Sequence, residues 1–407
     1  MTNTLNKKNN TGKFIALICL ALFYVLAILL DNFLPATSFT LMLIPVLQKG
    51  AIYALLCVSM NLLNGFTGLF SLGQAGFMLI GGYVYAAITI PAAQHASVYQ
   101  YFDSAINFSI PEILSNIIGK GAGTIVGVII SLIIAGLIAA LFAFLIGFPV
   151  LRLKSDYLAI ATLGFAEIIR AFFQWEGLGA FTNGSNQLRK YVTFSGMELN
   201  FGSFTLELGT LFLFIIVTIC IALIVLLINS SYGRAFKSIR DDEIAAEAMG
   251  ISLFKHKMIS FIVSSFFAGV GGALLAMFQT TIQANAFKSA MTYEILLMVV
   301  IGGIGSISGS CIASFLYIAL SEWILRFLDE GSLFGVIAVP FFRDGFRKVV
   351  FSVVIMIIVL FFSKGIMGDK EISFKGIGGL LTRIKNKKKK AAPAAVEAVS
   401  KEGEANE

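Results

Sequence analysis

Charge is what this sequence of 407 residues has least of: 13% of them are Asp, Glu, Lys or Arg, against about 25% in soluble domains. Histidine is nearly absent. His95 and His256 are the two present, far apart in the chain and expected on opposite sides of a membrane. That leaves no material for a Ser/His/Asp or Cys/His catalytic set and argues against a metal centre. The four cysteines, Cys19, Cys57, Cys220 and Cys311, each sit inside an apolar run without CxxC or metal-ligand spacing. They read as small buried hydrophobes. No GxxxxGK[ST] occurs, so ATP is not bound through a P-loop on this chain. "GGIGSISG" (302–309) lacks the last glycine and the βαβ setting of a dinucleotide fingerprint. No solenoid-type repeat is present. No catalytic residue, metal or cofactor is expected.

What the chain has is apolar length: 57% of its residues are hydrophobic and the mean hydropathy is +0.88. The fold class is all-α, a polytopic integral membrane protein. A spanning helix needs roughly 20 apolar residues. Candidate segments are 14–31, 42–63, 66–90, 122–148, 157–175, 206–229, 258–282, 292–304, 307–325 and 348–363, about ten transmembrane or re-entrant helices. The third, eighth and ninth are the re-entrant candidates. Lys7, Lys8 and Lys13 precede the first run, as they would a signal peptide, but "DNFLPATSF" offers no small-residue cleavage site, so the run reads as a span.

The net charge of +7 sits mainly in tails and loops, where the cytoplasmic side of a membrane protein keeps its Lys and Arg. It does not point to nucleic acid. The expected organisation is a cytoplasmic tail over 1–13, a transmembrane domain over 14–363 and a basic, disordered cytoplasmic tail over 364–407, its Lys cluster near anionic lipid heads. Loops 91–121 and 176–205 fall outside; "PVLRLKSD" (149–156) falls inside. "RDGFRK" (343–348) is basic yet lands outside, and Lys49 within a span is expected to snorkel to an interface.

Against this background "RAFKSIRDDEIAAEAMGISLFKHK" (234–257) stands out, with nine charged residues of both signs between two apolar runs. Ser238 can cap a helix whose first turn holds Asp241 and Asp242. "EIAAEAM" favours helix, and Gly250 stands where a C′ glycine would end it. The alanines leave a slim face that a partner can approach, and the charged ends can pair across an interface. A bland surface helix on the bilayer fits equally well.

Polar groups within apolar segments are the remaining candidates. Glu167 and Arg170 lie three apart on one helix face, either pathway groups or an internal ion pair. Asn61 and Gln74 either bond across helices or touch a solute. "GFTGLFSLGQAGFMLIGG" (65–82) and "GGIGSISG" both interrupt apolar segments with glycine. Such pairs mark broken helices around a pathway, or simply close packing. Half-helix ends near Gly73 and near Gly303 and Gly305 would suit the charged ends of an amino acid.

The segment 234–257 also resembles the cytoplasmic coupling loop of ABC importer permeases, with its E-A-A element and following glycine, here Glu243, Ala245, Ala246, Glu247, Ala248 and Gly250. "NLLNGFTGLFSLGQAGFMLIGGYVYA" (61–86), "LKSDYLAIATLGFAEIIR" (153–170), "FTNGSNQL" (181–188), "YGRAFKSIRDDEIAAEAMGI" (232–251), "FFAGVGGALLA" (266–276) and "MVVIGGIGSISGS" (298–310) are similar, in order, to the branched-chain amino acid permeases of the LivM type. The longer loop 91–121, the basic tail, and Asn183 and Gln187 in "FTNGSNQL" depart from that pattern.

The resemblance implies a permease subunit of an ATP-driven importer for branched-chain amino acids in a bacterial inner membrane. Its partners would be cytoplasmic ATP-binding subunits, a second homologous permease and an extracytoplasmic substrate-binding protein. ATPase contact would fall to Arg234, Arg240, Asp241, Asp242, Glu243, Ala246, Glu247 and Gly250 within a loop over 232–257. Urea, short-chain amides or other amino acids are alternative substrates. A gradient-driven transporter is the alternative mechanism, and it would need no Ala-rich cytoplasmic helix.

Overall fold

The structure is a computed structural model. It describes residues 38–323 except 154, 202 and 203, together with Tyr24, Leu325 and scattered residues between 332 and 371. Two units divide the chain: Ile28–Lys370, to which everything below belongs, and Met1–Ala27 with Glu371–Glu407, of which Tyr24 and Glu371 are the described residues. Cys19, the tail 1–13 and "RDGFRK" lie outside the described residues, as does the first expected span, 14–31, apart from Tyr24. The tail 364–407 is described at 365–368 and 371, and the last expected span at 349–353, 356 and 360.

The described chain is helical, as its apolar composition requires of backbone that must satisfy its own hydrogen bonds in lipid. Helix α1 (Ser38–Asn61) continues as a π-helical turn, Leu62–Phe66. Next come α2 (Gln74–Thr89), α3 (Ile110–Ile118), α4 (Lys120–Val150), α5 (Ser155–Gln174) and α6 (Gly209–Asn229). Two short helices follow, α7 (Ser231–Asp241) and α8 (Glu243–Ala248). Then come α9 (Leu253–Gln279), α10 (Ser289–Gly302) and α11 (Ile307–Ile318), the last running into a π-helical turn, Ala319–Trp323.

Among the described residues, five helices are long and apolar enough to cross a membrane: Met42–Phe66, Gly121–Val150, Tyr157–Gln174, Gly209–Asn229 and Leu253–Gln279. A bent pair, Gln74–Thr89 with Ala92–Val98 and 100° between its halves, is either a broken sixth span or a re-entrant loop. The expected segments 292–304 and 307–325 are two shorter apolar helices divided at the glycines, Ser289–Gly302 and Ile307–Trp323. Segment 66–90 is helical only from Gln74.

At the centre, α9 packs against α1, α2 and α4. Glycine sets the spacing. A Cβ on Gly81 would stand 2.1 Å from the Gly269 carbonyl oxygen, and one on Gly272 at 2.1 Å from that of Met78. Backbones meet directly, the packing that small residues allow in membranes. Every residue of α2 is buried. The outward faces of α4 and α6 carry exposed Leu137, Leu141 and Leu226.

The loop 91–121 is more ordered than its polar composition suggests. It holds α3, whose Ile113, Ile117 and Ile118 are exposed. It also locks onto 176–208: Tyr99 donates to the Phe181 carbonyl at 2.9 Å, and Asn183 Nδ2 to that of Val98 at 3.1 Å. Leu188–Arg189 pairs with Thr281–Ile282, and Glu198–Phe201 forms a hairpin with Phe204–Glu207. Lys49, the cation expected to snorkel, pairs with Glu322 on the neighbouring π-helical turn, the kind of partner that apolar surroundings demand.

Candidate functional site

The charged segment folds as two short helices rather than one. Phe236 and Ile239, buried with Gly233 beneath α7, keep that helix regular through Ser238 to Asp241. Ser238 is therefore not a cap; its hydroxyl donates back to the Arg234 carbonyl at 3.0 Å. The cap is Asp242, in extended backbone (φ −160°, ψ 112°), whose carboxylate accepts from the amides of Ile244 at 2.9 Å and Ala245 at 3.0 Å. Two of the orphan donors at the start of α8 are thus satisfied.

Gly250 ends α8 as expected. It has φ +83°, and two bonds close the turn: Gly250 N–H to Glu247 O at 2.9 Å and Ile251 N–H to Ala246 O at 3.1 Å. This is the Schellman arrangement, which needs a left-handed C′ residue. The small helix is braced from below by an ion pair, Lys257 Nζ to Glu243 at 2.6 Å. Ala246 is buried and packs inward.

Arg234, Asp241, Asp242 and Glu247 are exposed. So are two side chains that the charge pattern hid: Ile244 and Met249 are each 82% exposed. Neither side chain is covered by the rest of the chain. Their place inside "EIAAEAM" was the available signal.

At the bundle end beneath this segment the glycine breaks meet. Asn61 closes α1 and reaches the α10–α11 junction. Its Oδ1 accepts from the Gly305 N–H at 2.8 Å, and its Nδ2 donates to Ser306 O at 2.9 Å and Ser310 Oγ at 2.8 Å. Gly303 (φ +113°) and Gly305 (φ +91°) turn the chain, and Ser306 caps α11 by accepting from the Gly309 N–H at 3.1 Å. A Cβ on Gly65 would stand 2.6 Å from the Gly305 nitrogen. Three of the expected pathway residues, Asn61, Gly303 and Gly305, are thus brought together.

Gly73 and Gln74 start α2 deeper in the bundle. The Leu72 and Ala75 amides donate to Thr162 Oγ1 at 3.0 Å and Thr292 Oγ1 at 3.1 Å. Thr292 lies ten residues before Gly302, about 15 Å of helix. Gln74 Nε2 donates to Ser59 Oγ at 2.7 Å, a bond across helices. Glu167 and Arg170 are elsewhere, toward the end of α5. They pair at 2.7 Å, Glu167 accepts from the Ser289 N–H at 3.1 Å, and Arg170 Nη1 donates to Asn285 Oδ1 at 3.4 Å. The internal-pair reading of these two is the one the geometry shows.

Two cavities, of about 390 Å³ beside Gln48, Thr193 and Thr210 and about 360 Å³ beside Asn183, Gln187 and Arg189, contain none of the expected pathway residues in their walls. Asn183 and Gln187, the departures noted in "FTNGSNQL", line the second.

A family model described as "Branched-chain amino acid transport system / permease component" matches residues 42–363. The chain is 32% identical over 302 residues to the protein named "High-affinity branched-chain amino acid transport system permease protein LivM" of Salmonella typhimurium, covering 69% of this chain and 63% of that one. The LivM protein of Escherichia coli is 32% identical over 303 residues, with the same coverage. A protein named "Probable branched-chain amino acid transport permease protein LivH" of Methanocaldococcus jannaschii is 28% identical over 176 residues, 42% of this chain and 53% of its own. The chain thus spans 63% of the length of the two LivM relatives. No solved structure matches significantly. With the family model covering most of its residues, this polytopic helical chain belongs to the family of branched-chain amino acid transport system permease components.

Proposed function

We propose that the chain is a membrane-spanning permease subunit of an ATP-driven importer, and that its substrates are branched-chain, hydrophobic amino acids. The observation that carries this reading is the capped helix Glu243–Ala248 with Ile244 and Met249 exposed beside Glu247. It is held rigidly against the bundle yet offers its outer face. A gradient-driven carrier has no use for such a face. The break residues Gly73, Gln74, Gly303 and Gly305 belong to the pathway in this reading. Asn61, Glu167 and Arg170 spend the polar atoms described above on their own neighbours and serve as framework.

The partners of this reading are cytoplasmic ATP-binding subunits, a second homologous permease of the kind the LivH likeness suggests, and an extracytoplasmic binding protein that delivers the amino acid. The protein sits in the bacterial plasma membrane with both termini cytoplasmic, the basic tail among them.

The test is purification in mild detergent from the native host, with a Glu247→Arg variant alongside. An ATPase subunit that accompanies the chain and is lost on charge reversal supports the importer, and leucine uptake then follows as the substrate assay. Absence of any ATPase under several gentle conditions would defeat it.

A further inference from the structure

Arg240 lies among the residues first assigned to ATPase contact, but its guanidinium turns toward the membrane domain. Nη1 donates to the Gly65 carbonyl at 3.2 Å, while Nε and Nη2 hold the Asp241 carboxylate at 3.0 and 2.9 Å. Its stem lies on Gly68 (φ +76°), where a Cβ would come within 2.9 Å of Arg240 Cγ and 3.2 Å of its Cα. One turn earlier, Lys237 Nζ stands 5.6 Å above the Phe66 ring. The last turn of α7 is therefore seated on the π-helical turn Leu62–Phe66 and the loop after it.

The contact has a physical logic. A carbonyl at a helix end lacks its helical partner, and π-helical turns weaken the regular ladder. A cation placed there also meets the negative end of the helix dipole. Gly65 then leads directly to the second break. A Cβ on Gly305 would lie 3.4 Å from Arg240 Nη1 and 3.9 Å from the Gly65 oxygen, and Asn61 ties Gly305 to α1. One guanidinium stands where the charged segment, the break after α1 and the break after α10 converge.

We propose that Arg240 is a positioning residue that joins the charged segment to both glycine breaks, so that displacement of α7 reaches the α10–α11 junction through Gly65 and Asn61. The inference rests on the importer reading and adds to it the path of the motion. Arg suits the task because its planar fork bonds Asp241 on one edge and Gly65 on another. A Lys ammonium is a single point of charge and cannot span both.

The test uses the complex purified with its ATPase subunits and second permease and reconstituted in proteoliposomes with the binding protein supplied, leucine uptake and ATP hydrolysis being measured in the same vesicles. With Arg240→Ala the ATPase subunits are expected to co-purify as before, while leucine imported per ATP hydrolysed falls about tenfold; Arg240→Lys recovers part of the loss. Gly68→Ala presses on the Arg240 stem from the membrane side, leaves the exposed face of α8 alone, and is expected to lower the same ratio. It decides the matter if Arg240→Ala does not assemble. An unchanged ratio in Arg240→Ala, or in Gly68→Ala where it alone assembles, overturns the inference. So does loss of the ATPase with Arg240→Ala while Gly68→Ala retains both ATPase and ratio, which would make Arg240 a docking residue. Failure of the unaltered chain to bring down any ATPase strikes the importer reading itself, a separate result.

Discussion

Asn61 and Gly305 are 244 residues apart in sequence, yet the side-chain oxygen of the first accepts the backbone N–H of the second at 2.8 Å. Asn61 Nδ2 donates to Ser306 O and Ser310 Oγ, and Asn61 is wholly buried. Replacing it with Leu, of similar size, leaves the half-buried Gly305 N–H and its serine neighbours without this partner. The expected cost is roughly 1 kcal/mol, the lower end of the penalty for an unpaired buried donor. Thermal unfolding in detergent, followed by a thiol dye that reaches buried Cys57 and Cys220 only on opening, should show a lower midpoint. An unchanged midpoint would mean the bond does not hold the two breaks together.

The cap of α8 gives a local prediction. Asp242→Ala removes the acceptor for two backbone amides and should cost about 1 kcal/mol of helix stability. Asp242→Asn retains an oxygen there and should cost less. Hydrogen exchange at Ile244 and Ala245 reads this directly: faster in the Ala variant, near the unaltered rate in Asn. Gly250→Ala forces a side chain into left-handed backbone at about 1 kcal/mol and should speed exchange at Ile251. Equal rates in all three would remove Asp242 and Gly250 from any role in fixing the segment.

Much of this segment was legible because its signals are local. The Gly250 terminus and the Ala-rich helix were readable from neighbouring residues alone. Which residue caps it was not, since Ser238 and Asp242 are both good caps. What decided was the spacing of Gly233, Phe236 and Ile239 at intervals of three, which buries one face of α7 and carries it past Ser238. The start of α2 failed for a different reason. "GFTGLFSLG" is apolar enough to span, but the bonds from Leu72 and Ala75 to Thr162 and Thr292 begin the helix late, and those partners are remote in sequence. Helix α3 was readable and missed: Ile110, Ile113, Leu114, Ile117 and Ile118 have helical spacing inside a loop judged by its polarity.

Lys49 illustrates the remote case, since nothing near it in sequence announces Glu322. The two side chains are 20% and 34% exposed, so the pair is neither fully buried nor free in water. Removing one partner leaves the other charged beside apolar helices, at a cost of about 2 kcal/mol, below the 3–5 kcal/mol typical of a fully buried pair. Lys49→Met and Glu322→Gln should each lower the detergent unfolding midpoint. The exchange Lys49→Glu with Glu322→Lys should recover a good part of it. A swapped protein no more stable than either single variant would show that the pair is incidental.

The exposed apolar side chains of α8 separate a stability role from a docking role. Ile244 and Met249 bury almost nothing within the chain, so Ile244→Asp and Met249→Asp should leave the unfolding midpoint where it is. At an interface the same changes would put a carboxylate into an apolar contact. A loss of about 2 kcal/mol, the scale of an interface anchor, would weaken ATPase capture by more than tenfold. Ala246 is the internal comparison, since it faces the bundle: Ala246→Leu should lower the midpoint by overfilling a packed site, whatever it does to capture. ATPase capture unchanged in both Asp variants would leave the outer face of α8 without a partner, and the charged residues beside it would then need another explanation.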